Sequence, residues 1–178
     1  MSGFSVGDYA YTCSLLDKEE QVGILEVNVS CPNVHGLQNL QDVSYLSDIL
    51  DPLLDLRICY DAYKPILVKV SPDIPTEELD EILKYCMQSG IDGIVAGNTT
   101  RSRDGLTTNK DRIEKHIHQF TSGRLPVVGV GGIMSPEQAK EMLDAGASLI
   151  EIYTGFIYEG PSIVKKINKY LENNSLTK

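Results

Sequence analysis

Tryptophan is absent from the 178 residues, and phenylalanine and histidine occur only three times each and cysteine four times. So few histidines and cysteines leave little to ligate a metal. The cysteines stand at 13, 31, 59 and 86 with no Cys-x-x-Cys spacing, and no histidine is placed to complete a site. His116 and His118 are two apart, which on a helix sends them to different faces. No metal is expected. Nor do the cysteines form a disulfide framework; they read as reduced thiols of a cytoplasmic protein. No run of ~18 apolar residues occurs, so no bilayer-spanning helix is expected. The opening Met1-Ser-Gly-Phe-Ser-Val-Gly-Asp8 has neither the basic nor the apolar region of a signal peptide. Positive charge is also short, 16 Lys plus Arg against 25 Asp plus Glu, a net −9. Nucleic-acid binding, which needs a clustered positive field, is not expected.

What is present is ordinary for a soluble globular chain: 42% of residues are apolar. The length suits one domain but falls short of the ~250 residues typical of a complete (β/α)8 barrel. Five short β-branched runs are expected to be strands: Ile24–Val29, Pro65–Val70, Asp92–Ala96, Pro126–Val130 and Ser148–Tyr153. They alternate little, as suits strands buried on both faces of a parallel sheet.

Helical stretches with start and stop signals lie between them. Thr76 before Glu77 and Glu78 predicts an N-cap, with Gly90 as the stop. Ser135-Pro-Glu-Gln138 predicts a capping box closed by Gly146, and Pro161 opens a last helix. Asp8 and Asp42 are the expected caps of helices running towards Leu16 and Tyr60. Cys13, Cys59 and Cys86 fall in such stretches, where buried small hydrophobes are expected.

Five βα units in series suit an open doubly wound sheet or part of a closed barrel. The Gly129-Val-Gly-Gly132 run is not a dinucleotide fingerprint, because Met134 stands where the third glycine belongs. Polar residues gather instead at the carboxyl ends of the strands, where a barrel places its chemistry. The expected fold is therefore α/β, of the (β/α)8 TIM-barrel family, with about five βα units in one domain over 1–178 and a polar tail over 173–178.

The strand ends read Asn28-Val-Ser-Cys-Pro-Asn33, Lys69-Val-Ser-Pro-Asp73, Gly97-Asn-Thr-Thr100, Gly129-Val-Gly-Gly132 and Tyr153-Thr-Gly155. Taken singly, Asn and Gly there suit ordinary turns. Lys69 is different, because a lysine inside an apolar strand is costly unless its ammonium meets an anion or acceptors. Gly131 and Gly132 permit close backbone approach just before a capped helix, a setting equally suited to an anion and to a tight turn. Barrels frequently bind phosphate at the loops after their final strands. Asn28, Asn33, Asn98 and Thr99 would then line a polar, uncharged pocket for a planar molecule with amide-like edges, with Cys31 as a titratable group beside it.

These five motifs, with Gly36-Leu-Gln-Asn-Leu-Gln41 and the closing Ala145-Gly-Ala-Ser-Leu-Ile-Glu-Ile-Tyr-Thr-Gly-Phe-Ile-Tyr-Glu-Gly-Pro161, resemble the dihydroorotate dehydrogenases over residues 8 to 172. The closing segment is most similar to the quinone-linked class 2 members. The resemblance implies an FMN-dependent barrel that oxidises (S)-dihydroorotate to orotate in pyrimidine biosynthesis, with a quinone as the expected acceptor ahead of fumarate or NAD. It implies Cys31 as the base at C5, with hydride leaving C6 for the flavin. It implies Asn28, Asn33, Asn98 and Thr99 as substrate ligands. Asn28, Lys69, Gly97, Gly132, Tyr153 and Thr154 would be FMN contacts, with Lys69 by the N1/O2 edge and Gly132, Tyr153 and Thr154 around the phosphate.

Three departures accompany the resemblance. Class 2 members usually carry serine as the base, whereas Cys31 follows class 1. The family's Gly-Leu-Ser-Gly turn is replaced by Asn109-Lys-Asp-Arg-Ile-Glu-Lys115, and a loop is expected to be missing around Glu114 and Lys115. The early strands, with further flavin contacts and the class 2 membrane-associated quinone tunnel, have no counterpart before Ile24. Membrane association is therefore expected only through segments outside this chain, at the inner face of the membrane, and homo-oligomerisation is left open. Two rival readings stand beside this one: a non-catalytic partial barrel, and a different phosphate-binding barrel enzyme.

Overall fold

Each expected strand forms, trimmed by one to three residues where its flanks turn. The computed structural model describes residues 6–29, 43–59, 63–97 and 111–174. In chain order the elements are α1 (Val6–Asp17), β1 (Leu25–Asn28), α2 (Val43–Arg57), β2 (Ile66–Val70), α3 (Thr76–Ser89), β3 (Gly93–Ala96), α4 (Asp111–Thr121), β4 (Val127–Val130), α5 (Pro136–Asp144), β5 (Leu149–Glu151), α6 (Thr154–Glu159) and α7 (Ser162–Asn174). Strands and helices alternate as in a (β/α)8 barrel, of which the chain carries five βα units. Among the described residues no helix is long and apolar enough to cross a membrane. The chain divides into two compact units, Met1–Ser102 and Arg103–Lys178.

In the first unit β1 pairs in parallel with β2, and β2 with β3. The register places Leu25 and Val27 beside Ile66 and Val68, and Val68 and Val70 beside Ile94 and Ala96; all seven are buried. The alternate positions, Glu26 and Asn28, Leu67 and Lys69, Gly93 and Val95, share the opposite face. Expected burial of every strand on both faces holds for β3 but not for β1, whose residues alternate buried and exposed. Helix α2 continues through Pro52, which costs a backbone hydrogen bond, because Leu46, Ile49, Leu50 and Leu53 on one side are sealed from solvent.

The amino ends of these strands are tied by polar groups that the sequence reading did not single out. Asp92 accepts from Arg57 at 2.5 Å and from the Ile66 amide at 2.8 Å, and Tyr63 donates to its other oxygen. This joins the end of α2 to the starts of β2 and β3. The Tyr63 hydroxyl is pushed up by that hydrogen bond to Asp92. Lys64, buried, donates to the carbonyls of Leu16, Asp17 and Glu19 at 2.8, 2.8 and 2.7 Å, capping the carboxyl end of α1.

In the second unit β4 pairs in parallel with β5. Its core joins Ile133, Ala139, Met142, Ala147, Ile163 and Ile167, so that α5 and α7 pack together. A side chain at Gly129 would meet Met142 Cγ at 2.4 Å, which shows how closely β4 lies on α5. Glu114 and Lys115 are consecutive residues within α4, and Glu114 is buried. Helix α4 runs through both residues.

Several local expectations are also corrected. Helix α3 is preceded by Pro75 without a side-chain cap, and Thr76 is its first residue. Helix α1 begins before Asp8, which lies in its first turn. Asp42 lies outside the described residues. Cys13 and Cys86 are buried as expected, but Cys59 is exposed, just past the end of α2. Gly90, with φ 91°, does end α3.

Candidate functional site at the strand carboxyl ends

Two groups of the predicted residues are brought together, one in each unit. In the first, Asn28 ends β1 directly beside Lys69 in the register, and Lys69 is beside Val95. The next same-face position along β3 is Gly97, a buried residue with φ 121° whose amide donates to Val70 O at 3.3 Å. Asn28, Lys69 and Gly97 thus lie along one edge of one sheet face. The cost of placing Lys69 in a strand is offset by Glu26, whose Oε1 lies 2.9 Å from Nζ. Their side chains are 13% and 31% exposed, against 35% and 59% for the surface pair Lys140–Asp144.

Two contributors here escaped the sequence reading. One is Glu26, two residues before Asn28; a second charge inside an apolar strand was the available signal. The other is Tyr9, whose hydroxyl donates to the Asn28 carbonyl at 3.3 Å and fixes the end of β1 from α1. Nothing in the local pattern of α1 distinguishes that tyrosine.

In the second unit the turns after β4 and β5 abut. A side chain at Gly155 would meet the Ile133 carbonyl oxygen at 2.3 Å and Ile163 Cδ1 at 3.1 Å, so only glycine allows this approach. Gly132 and Thr154, each one residue from that contact, are brought to the same corner, with Tyr153 exposed beside them. Gly131 and Gly132 both have positive φ, 99° and 64°, and the side-chain position at Gly131 meets nothing within 4 Å. The backbone is open to a ligand there.

The predicted capping box forms at α5 with its return bond displaced: Ser135 Oγ accepts from the Gln138 amide at 3.4 Å, and Gln138 Oε1 accepts from the Met134 amide at 2.8 Å. Two donors of the helix start are thereby occupied internally. Glu137 in the first turn has its carboxyl held below the usual range by its own backbone N–H and by the Ser135 hydroxyl. An anion is favoured at this end of α5.

Cys31, Asn33, Asn98 and Thr99 lie outside the described residues. Burial pushes the Cys86 thiol up to about 12 and raises Cys13 as well, so neither serves as a base near neutral pH. Among the described residues no group of three or more His, Cys, Asp or Glu is arranged to hold a metal ion.

Each unit carries a feature with a chemical use of its own. An open, positive-φ glycine pair beside an abutting Thr-Gly turn matches the needs of a phosphate, and a partly buried ammonium on a sheet face matches those of an electron-accepting ring.

Comparison with known proteins adds an independent finding. A family model described as dihydroorotate dehydrogenase matches residues 1–117 and 110–174. The two matches meet in the interval where the Gly-Leu-Ser-Gly turn is lacking. A protein of Salinispora arenicola named dihydroorotate dehydrogenase (quinone) is 42% identical over 158 residues, covering 78% of this chain and 45% of that protein. One of the same name from Christiangramia forsetii is 37% identical over 188 residues, covering 97% of this chain and 55% of that one. The chain spans about half the length of the curated relatives it matches. The ligand-free crystal structure of Eimeria tenella DHODH superposes with a TM-score of 0.85 at 23% identity, over 94% of this chain and 55% of the other. The ferulenol complex of the Eimeria tenella protein gives a TM-score of 0.80, with 93% and 53% covered. These two structures share the fold.

Proposed function

The chain belongs to the dihydroorotate dehydrogenase family, and from that premise we propose that its full-length protein oxidises (S)-dihydroorotate to orotate with FMN as cofactor and a quinone as acceptor. The observation that carries this reading is the polar edge of the first sheet, where Asn28 and Lys69 stand side by side at the family's own motifs. The quinone is supported by the names of the relatives and by the closing segment around Tyr153. We place the site on the cytoplasmic side.

Loss of a proton from C5 and a hydride from C6 leaves the C5=C6 double bond of orotate. FMN, when bound, supplies the hydride acceptor. Cys31 takes the C5 proton on its thiolate. Asn28, Asn33, Asn98 and Thr99 hold the ring by its amide edges, which have matching donors and acceptors. Lys69 supplies positive charge for the negative charge that develops during reduction, a role that a preorganised ammonium fills without reorganisation. Gly97, Gly132, Tyr153 and Thr154 hold the cofactor, the last three at its phosphate.

A thiol titrates near ~8.5, far below a hydroxyl, so the base sets the pH dependence. In the FMN-loaded full-length protein, Cys31→Ala should keep flavin and dihydroorotate while anaerobic flavin reduction slows by orders of magnitude. Cys31→Ser should retain activity with its rising limb moved to higher pH. Unchanged stopped-flow reduction in Cys31→Ala removes Cys31 from the mechanism, and a full-length protein that stays colourless with added FMN defeats the reading.

A further inference from the structure

The Glu26–Lys69 pair carries an assignment beyond the family reading, although it rests on FMN lying over this sheet face. Glu26 and Lys69 are the two charged residues of β1 and β2, in strands otherwise made of apolar residues and Asn28. The register puts Asn28, not Glu26, directly opposite Lys69. The ammonium therefore leans one same-face step back along β1 to reach the carboxylate at 2.9 Å. Leu67 and Val95, 8% and 1% exposed, lie on the same face beside the 13%-exposed Lys69, while the Glu26 carboxylate keeps a side open to solvent. Among the described residues, the ion pairs Lys140–Asp144 and Lys166–Glu159 have both partners more exposed. A charge pair at 2.9 Å with its ammonium largely covered is screened less than a fully exposed pair, so each partner modifies the field the other projects.

We propose that Glu26 is a positioning residue that acts through Lys69, holding the ammonium towards the floor of the sheet face and offsetting its charge, and so keeps the flavin's reduction potential lower than Lys69 alone would set it. The sign follows from charge. Reduction adds negative charge to the flavin, which the Lys69 cation favours and the Glu26 anion opposes. Removing the anion strengthens the net positive field that Lys69 projects and favours the reduced form. A merely structural Glu26 would change stability without moving the potential in this direction.

The test is a dye-referenced redox titration of the FMN-loaded full-length protein. Glu26→Gln is measured beside Glu26→Val, an apolar residue suited to a strand, so that one folding failure leaves the other variant. Both should raise the preference for reduced over oxidised flavin by about tenfold, equivalent to about 30 mV for a two-electron couple. Glu26→Asp, which keeps the charge, should stay within about twofold of the wild type. In a Lys69→Met background, the effect of Glu26→Gln should fall to a minor fraction of its size in the wild type. A wild-type protein that binds no FMN overturns the functional reading and this inference together. A wild type that binds FMN, with variants whose potential is unchanged or lowered, overturns the role of Glu26 alone. The same holds if the full shift persists without Lys69.

Discussion

At the scale of single residues, the corner formed by the turns after β4 and β5 depends on the absence of one Cβ. At Gly155 the obstacle is the backbone carbonyl of Ile133, 2.3 Å from where a methyl would stand, and a backbone atom cannot rotate aside. Gly155→Ala is expected to cost about 1–3 kcal/mol as overpacking, read as a lower urea midpoint with an unchanged slope. It should also weaken FMN binding, because Gly132 and Thr154 flank the displaced contact. The strand-end glycine turns were legible in the sequence, but the reason for this glycine was not. The contact lies between residues 22 apart in sequence, and local pattern carries no information about such a pair. Glu26 was missed for a related reason. Its partner sits on another strand, and only the register shows that the two charges meet.

At the scale of elements, the sheet was legible because β-branched runs between glycine- and proline-bearing turns leave few alternatives. The caps were less so. Thr76 has the right chemistry for an N-cap, yet the chain already turns helical there, and Pro75 takes the position before it. The six-residue α6 went unrecognised because it is too short to display an amphipathic period. The most consequential element contact is the lysine clamp on α1. Lys64→Met should keep the aliphatic stem buried but remove three charged hydrogen bonds, at a cost of about 2–4 kcal/mol. The loss should concentrate in α1, so amide exchange over residues 6–17 should accelerate far more than that in β2 or β3. Uniform acceleration would mean that the clamp stabilises the unit as a whole rather than the helix end. Because Tyr9 reaches Asn28 from the same helix, the variant should also loosen the end of β1.

At the scale of the whole molecule, stability should fall at alkaline pH through groups buried beneath the sheet. Cys86 has its thiol raised from 9.0 to about 12 by burial. A raised value in the folded state means that its contribution is full below pH 9 and is lost as pH rises towards 12, because the unfolded thiol ionises first. Tyr85 is shifted in the same direction by burial and by its hydrogen bond to Asp51, so it adds to the slope. The free energy of unfolding should therefore decline over that window, and Cys86→Ala should decline less steeply by about one proton. Equal slopes in the two proteins would remove Cys86 as a source. Family membership and the series of βα units were readable from the motifs. The partition into two compact units was not, since no shift in composition marks it.

The alternation along β1 also limits how this protein can change length. Glu26 and Asn28 lie on the exposed face of β1, while Leu25 and Val27 are buried on the other. Deleting or inserting one residue inside the strand would exchange the two sets, burying a carboxylate and turning two aliphatic side chains towards the ligand. Insertions and deletions are therefore tolerable in the connecting turns, or in pairs within the strand. An odd-numbered change in β1 would abolish the site even with every functional residue still present in the sequence.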